Sequence, residues 1–298
     1  MPKISVIVPF YNAEKYLRQC MAALLAQHYP PEDYEVIMVD NNSTDRSLSI
    51  ARQFPRAKVL GEKKQGAYAA RNRGLAEATG ALIAFTDADC VPDKDWLGTI
   101  AATLQAPHVQ LVLGSRQWAG GSSPGLALLV TYQNQKVDSI LKSRIKELYY
   151  GYTNNMAVRR ATFDRLGPFL EAHRGADTVF LHRVIDAYSC DAVCYNARMR
   201  VRHLEINNVW QHYRKLWIYG RSNHLGRQLV SFRPLTRRET WRVLRETLRS
   251  QQYSSLQASL LFVLVALETV VYSASSWLTK WTRVKSRIPT PEKEAHTE

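Results

Sequence analysis

The chain has 298 residues, 46% of them hydrophobic and 22% charged, which excludes a disordered chain and allows one large core or two modest ones. A formal net charge of +14 predicts attraction to something acidic: nucleic acid, anionic lipid or a phosphorylated substrate. Cys20, Cys90, Cys190 and Cys194 suggest no disulfide framework in a chain this long, and Met1 leads straight into a strand pattern rather than a secretory signal, so a reducing cytoplasm is expected.

Residues 4–9 are short and β-branched and predict a buried strand. Asn12 is placed to cap the following helix, with Glu14 in its first turn favouring the helix dipole. That helix carries Tyr16, Leu17, Cys20, Met21, Leu24 and Leu25 on one stripe, and Pro30 and Pro31 end it. Residues 35–40 form a second buried strand. Ser43 or Thr44 is expected to open the next helix, with Leu48, Ala51 and Phe54 facing inward. A third strand covers 58–60, and an Ala-rich helix runs from 68 to 79 until Gly80 stops it. Next comes an apolar strand over 81–86 that ends in Asp87 and Asp89. Such alternation implies a mostly parallel sheet with helices on both faces.

Beyond residue 104 the pattern weakens. A strand is expected over 109–113, a flexible loop over 119–125 and a helix over 126–148. Residues 207–229 predict a helix with an aromatic and basic face of Trp210, Tyr213, Arg214, Trp217 and Arg221. Arg237, Arg238, Arg242, Arg245 and Arg249 make a basic stretch. Residues 256–278 then contain no Lys or Arg and a single acid, Glu268, before Lys280, Arg283, Lys285 and Arg287.

Two carboxylates one residue apart, at the C-terminal edge of a buried strand, suit a divalent cation over an open cleft. Mg²⁺ and Mn²⁺ take oxygen ligands and bind one or two carboxylates plus phosphate oxygens. A cation there clamps a diphosphate, so the chain reads as an enzyme using a nucleotide-activated donor. One aspartate would grip the metal and the other a ribose hydroxyl. The strand ends at Pro9–Asn12 and Asp40–Ser43 should lie side by side at the same edge, where a Tyr ring stacks on a base and an Asp carboxylate accepts from a pyrimidine ring NH. Helix capping is the alternative for Asn12, Asp40 and Ser43. No dinucleotide glycine fingerprint or P-loop is present.

Four runs resemble the family-2 glycosyltransferases: residues 5–12 (SVIVPFYN), 39–45 (VDNNSTD), 66–74 (GAYAARNRG) and 86–89 (TDAD). The match is specific over about the first hundred residues and looser to about residue 225. The resemblance implies an α/β, Rossmann-like GT-A fold, a nucleotide-sugar donor and inversion at the sugar carbon. By similarity, Pro9, Tyr11, Asn12 and Asp40 hold the base side and Arg71 lies near the base or phosphates. Asp87 reaches the ribose or base side and shares the metal with Asp89. Asp177, in the segment GADTVFLHR, resembles the family's general base, although Ala176 stands where a second acid is common. Asn154 and Asn155 resemble the segment that shapes the donor-sugar pocket. His203 matches a histidine that completes the metal site in several such enzymes, and its imidazole suits Mn²⁺ better than Mg²⁺. Residues 211–215 (QHYRK) partly match a motif of processive synthases, with Lys215 in place of Trp; a single-transfer enzyme is favoured, with Arg214 or Arg221 near the diphosphate. Cys190 and Cys194 lack the second tight pair of a structural zinc site and read as free thiols.

The expected organisation is a catalytic domain over 1–230, with a nucleotide-binding half (1–105) and an acceptor-binding half (106–230), then a basic and apolar helical region over 231–298. Stretch 256–278 is long enough to span a bilayer, but its polar residues make it a poor span; an interfacial anchor or a buried helix fits as well. The expected partners are a nucleotide-sugar, most simply a UDP-sugar, a lipid-linked or glycan acceptor, and an anionic membrane at its cytoplasmic face; nucleic acid is not expected, because the charge collects beside the apolar tail. The competing readings are a degenerate glycan-binding or scaffold protein and a sugar-phosphate nucleotidyltransferase. The latter needs a Gly-rich loop where this chain has Tyr11 and Asn12.

Overall fold

The computed structural model describes residues 1–119, 123–171 and 174–281. Its strands are β1 (Ile4–Phe10), β2 (Tyr34–Asp40), β3 (Ala57–Gly61), β4 (Leu82–Thr86), β5 (Cys90–Pro92), β6 (Leu111–Trp118), β7 (Asn155–Arg159) and β8 (Val193–His203). The helices are α1 (Leu17–Leu25), α2 (Ser47–Ala51), α3 (Ala67–Glu77), α4 (Trp96–Thr103), α5 (Pro124–Lys142), α6 (Arg160–Leu166), α7 (Ala176–Ala187), α8 (Val209–Leu229), α9 (Arg237–Gln251) and α10 (Ser255–Trp281). Arg283, Lys285 and Arg287 lie outside the described residues, as do 120–122 of the expected loop.

One sheet runs β3-β2-β1-β4-β7-β6-β8-β5. The first four strands pair in parallel, as the alternation predicts. The remainder is mixed: β7 is antiparallel to both β4 and β6, β8 is parallel to β6, and β5 is antiparallel to β8. Alternate residues divide between the two faces. Val6, Val8, Val36 and Met38 pack with Leu17, Met21 and Trp96 on one side. Ile7, Ile37, Val39 and Phe85 pack with Leu75, Phe169 and Phe180 on the other. Each such side chain contributes about 1.5–3 kcal/mol by leaving water. Helices therefore cover both faces.

Several expected helix ends move, for one physical reason. Parallel register sets Phe10 beside Asp40, so the loops after β1 and β2 touch each other before they reach their own helices. Asn12 does not cap α1. It sits in the left-handed region (φ 48°), and its Oδ1 accepts from the Thr44 amide at 2.8 Å. Its own amide donates to Ser43 Oγ at 3.1 Å, which takes Ser43 away from capping α2. Glu14 lies before α1 and accepts from the Arg46 amide. Gly80 follows the end of α3 rather than forming it. A Cβ there would lie 2.6 Å from the Ser5 amide nitrogen and 2.8 Å from the Lys3 carbonyl oxygen, so the close approach to β1 requires glycine.

The C-terminal helices are not a detached tail. Leu128 and Tyr132 of α5, Val243 and Leu244 of α9, and Leu261 and Val265 of α10 form one buried cluster. α8 and α10 cross so closely that a Cβ on Gly220 would meet Ser275 Oγ at 1.7 Å. Tyr213 leaves the expected aromatic face of α8, turns inward and donates to the Leu264 carbonyl at 2.9 Å. Trp210, Arg214 and Arg221 stay exposed.

Candidate functional site

A cleft of about 1240 Å³ opens at the C-terminal ends of β1 and β4. Pro9, Tyr11 and Asn12 reach it from β1 and the loop after it, and Arg71 reaches it from α3. Asp87 and Asp89 enter from the turn after β4, Asn154 from just before β7, Asp177 from the first turn of α7 and His203 from the end of β8. Asp40 lies behind this lining. It is 8% exposed and accepts from the Ser43 amide at 3.3 Å, while its neighbour Asn41 lines the cleft. Asn41 also accepts from the Gly66 amide at 2.7 Å and so fixes the start of α3, where Arg71 sits.

Arg71 is buried, and its Nη2 meets Asp87 Oδ1 at 2.5 Å. The guanidinium lies 5.2 Å from the Tyr68 ring centroid, and its Nε has no protein partner. The Tyr68 hydroxyl accepts from the Asp177 amide at 3.4 Å, so Asp177, Tyr68, Arg71 and Asp87 form a continuous line along one wall. Burial pushes the Asp177 carboxyl up from its ordinary range, opposed by the Thr178 amide that donates to it at 2.9 Å and by the charge of Arg71. Gly151 lets its loop pass this helix start, because a Cβ there would meet the Asp177 carbonyl oxygen at 2.6 Å.

On another part of the lining, Asp89 Oδ2 stands 3.4 Å from His203 Nε2. The pairing of β5 with β8, which sets Cys90 opposite His203, brings them together. Burial first, and then the charge of Asp87, pushes the Asp89 carboxyl up to about 7. His203 is pushed down to about 4 by burial and by Lys215, so its imidazole is neutral at pH 7. Ligand atoms of Asp89, Cys90 and His203 all lie within 4.8 Å of one another. A neutral imidazole and a carboxylate whose charge is poorly met fit a divalent cation. Asp87, expected to share the metal, is instead engaged by Arg71 and is not in that cluster.

Other expected residues fall elsewhere. Asn155 is fully buried. It accepts from Trp96 Nε1 at 2.9 Å and donates to the Ser115 and Met199 carbonyls, which makes it a core residue rather than a sugar contact. Asn154 lines the cleft, with an Oδ1 that lacks a protein partner. Arg214 and Arg221 do not line the cleft; Lys215 does. Its Nζ donates to Glu205 at 2.6 Å and stands 3.5 Å from His203 Nε2. Sequence reasoning noticed Lys215 only as a departure and missed Glu205. It also missed Arg116, a cleft residue 4.2 Å from the Tyr152 ring centroid, whose signal was a cation within an apolar strand. Cys190 and Cys194 are free thiols and join no metal-capable cluster among the described residues.

Comparison with known proteins gives the family and the fold. The model of the family described as Glycosyl transferase family 2 matches residues 5–167. Glycosyltransferase AglE of Haloferax volcanii is 35% identical over 196 residues, covering 63% of this chain and 62% of that protein. A poly(ribitol-phosphate) beta-N-acetylglucosaminyltransferase, TarS of Staphylococcus aureus, is 34% identical over 118 residues, 38% of this chain and 21% of that one. The chain thus matches less than two thirds of the length of these curated relatives. Among solved structures, mannosyltransferase PcManGT from Pyrobaculum calidifontis, in complex with GDP-Man and Mn²⁺, superposes with a TM-score of 0.65 at 20% identity, covering 95% of this chain and 88% of that one. TarS 1–349 in complex with UDP-GlcNAc gives 0.56 at 20% identity, covering 95% and 93%. Likeness at that identity establishes the GT-A fold. With the family model matching more than half of its length, the chain belongs to glycosyl transferase family 2.

Proposed function

We propose that this chain transfers one sugar, with inversion, from a nucleoside-diphosphate sugar to a glycan or lipid-linked acceptor in cell-envelope or polysaccharide biosynthesis. The observation that carries the proposal is the shared cleft: a half-buried Asp177 with a raised pKa, the Arg71–Asp87 pair and the Asp89–His203 pair all line it. In an inverting displacement one carboxylate takes the acceptor hydroxyl proton as the diphosphate departs. Asp177 takes that proton. Tyr11, half exposed, offers its ring face to the base. Asp87, oriented by Arg71, accepts from the ribose side, and Asn154 uses its unpartnered oxygen on a donor hydroxyl. A divalent cation, Mn²⁺ or Mg²⁺, would be held by Asp89 and His203 and would stabilise the leaving diphosphate. Two solved neighbours with the fold carry nucleotide sugars, one of them with Mn²⁺.

Release of free UDP or GDP from a panel of nucleotide sugars, with Mn²⁺ or Mg²⁺, tests this reading. Turnover of at least one UDP-sugar that stops on chelation is expected. No release from any donor, with the protein folded, would sink it.

The domain plan follows the same proposal: residues 1–230 hold the catalytic domain, with the nucleotide side in 1–105, and α9 and α10 lean against it. The cytoplasmic membrane face is the proposed location. α10 is long and apolar enough to cross a membrane by length and composition, with 28% of its apolar window buried. Leu256, Leu260, Val263, Leu267 and Val270 form an exposed stripe. Beside it, α9 exposes Arg238, Trp241, Arg242, Arg245 and Arg249, with Trp241 edge-on to Phe262 of α10. An apolar stripe flanked by cations suits an anionic bilayer surface. Flotation with phosphatidylglycerol-containing vesicles, reduced by salt, is expected. Equal flotation with pure phosphatidylcholine would remove the electrostatic part of the proposal.

A further inference from the structure

Helix α10 is apolar where it packs and where it is exposed, but polar where it faces the cleft. An apolar helix packed on a protein normally turns its greasiest face inward. Leu261, Leu264 and Val265 face inward here and the outward stripe is apolar as well, but the cleft-facing stripe adds Glu268, Thr269, Tyr272 and Ser276 at helical spacing. Glu268 is the only acid between residues 256 and 278, and it is 6% exposed. Its carboxylate accepts from Gln133 Nε2 of α5 at 2.8 and 2.9 Å and pairs with His212 Nε2 of α8. The His212 ring packs at a tilt against Trp118, with centroids 4.6 Å apart. All four of these side chains line the same cleft as Asp177 and Asp89. Burying a carboxylate costs several kcal/mol unless it is paired. Helix packing alone is served better by a leucine at that position.

The cleft is also larger than one small ligand usually needs. Pockets for a single small ligand run to about 300–1,000 Å³, and this one reaches about 1240 Å³. The nucleotide end is built from β1, α3 and the aspartate turn; the other end is built from α5, α8 and α10. We propose that this second end is the acceptor subsite and that α10 supplies part of it, resting on the glycosyl-transfer reading above. The acceptor class is a hydroxyl-rich saccharide. Oε1 of Glu268 is taken up by Gln133 and His212 together, whereas Oε2 accepts from Gln133 alone and keeps a lone pair for a sugar hydroxyl. Thr269 and Ser276 add hydroxyls farther along the same face. Trp277, 57% exposed at the mouth, offers an apolar face to the C–H side of a pyranose ring.

The test uses the full chain, the donor that turns over, and a set of alkyl glycosides as acceptors. Glu268→Gln and Trp277→Ala should each raise the acceptor KM at least tenfold. UDP affinity, measured by calorimetry with Mn²⁺, should stay within twofold. Trp277 lies at the surface, so its variant guards against a simple folding failure of the Glu268 variant. Unchanged acceptor KM in both variants overturns the proposal, as does a parallel loss of UDP affinity, which would make α10 a wall of the donor site. Transfer to water alone, with no glycoside accepting the sugar, overturns the saccharide class. Absence of any nucleotide release in the unmutated chain counts against glycosyl transfer itself and not against this subsite.

Discussion

Replacing Asp177 with Asn should lower kcat by about 10²–10⁴-fold, the usual contribution of a positioned general base. The change keeps the shape of the side chain and its Oδ1, which can still accept from the Thr178 amide. It removes only the capacity to take a proton. UDP affinity should therefore remain near that of the unmutated chain, and the loss should appear in kcat. The pH profile gives a second check. Burial raises the Asp177 pKa, so the base is lost to protonation as pH falls through that raised value. Activity should decline on the acid side at a pH above the ordinary range of an aspartate, and the Asn variant should lack that limb. Near-normal turnover by the Asn variant would move the base to another residue.

Asp89→Ala should be as damaging by a different route. Stabilisation of a leaving group by a metal is worth several kcal/mol, and each ~1.4 kcal/mol is a factor of ten in rate. A fall of about a thousandfold or more is expected. Mn²⁺ together with UDP should raise the melting temperature of the unmutated chain and leave that of the variant unmoved, since a ligand stabilises only the state that binds it. Comparison without metal separates binding from folding: the two proteins should then melt alike. A metal response that survives in Asp89→Ala would assign the ion to other ligands.

The part of the cleft at the strand ends was legible in the sequence, because its residues follow strands. Tyr11, Asp87 and Asp89 each come directly after a β-branched or apolar run, and strand order places such ends on one rim. Cross-loop partners were invisible. Asn12, Glu14 and Ser43 have the chemistry of helix caps, and only the parallel neighbour relation of β1 and β2 shows that they bind one another's loops instead. Asn155 looked like a sugar ligand because its type was read without its strand; as the first residue of β7 it points into the core. Glu205 was missed and Lys215 was noted only as a motif departure, because their meaning depends on His203, a neighbour supplied by folding. The polar stripe of α10 was legible as letters but was weighed as a defect in a membrane span. Summed hydropathy discards the side of the helix on which each polar residue stands.

His212 and Lys215 are three positions apart on α8. At ~1.5 Å of rise per residue, about 4.5 Å of helix axis separates them. One pairs with Glu268 and the other with Glu205, so a single rod spaces the two ends of the hollow. At Gly220 that rod approaches α10 so closely that no side chain would fit between them. Because both pairings sit on one helix, a slip of one turn would disengage both partners at once.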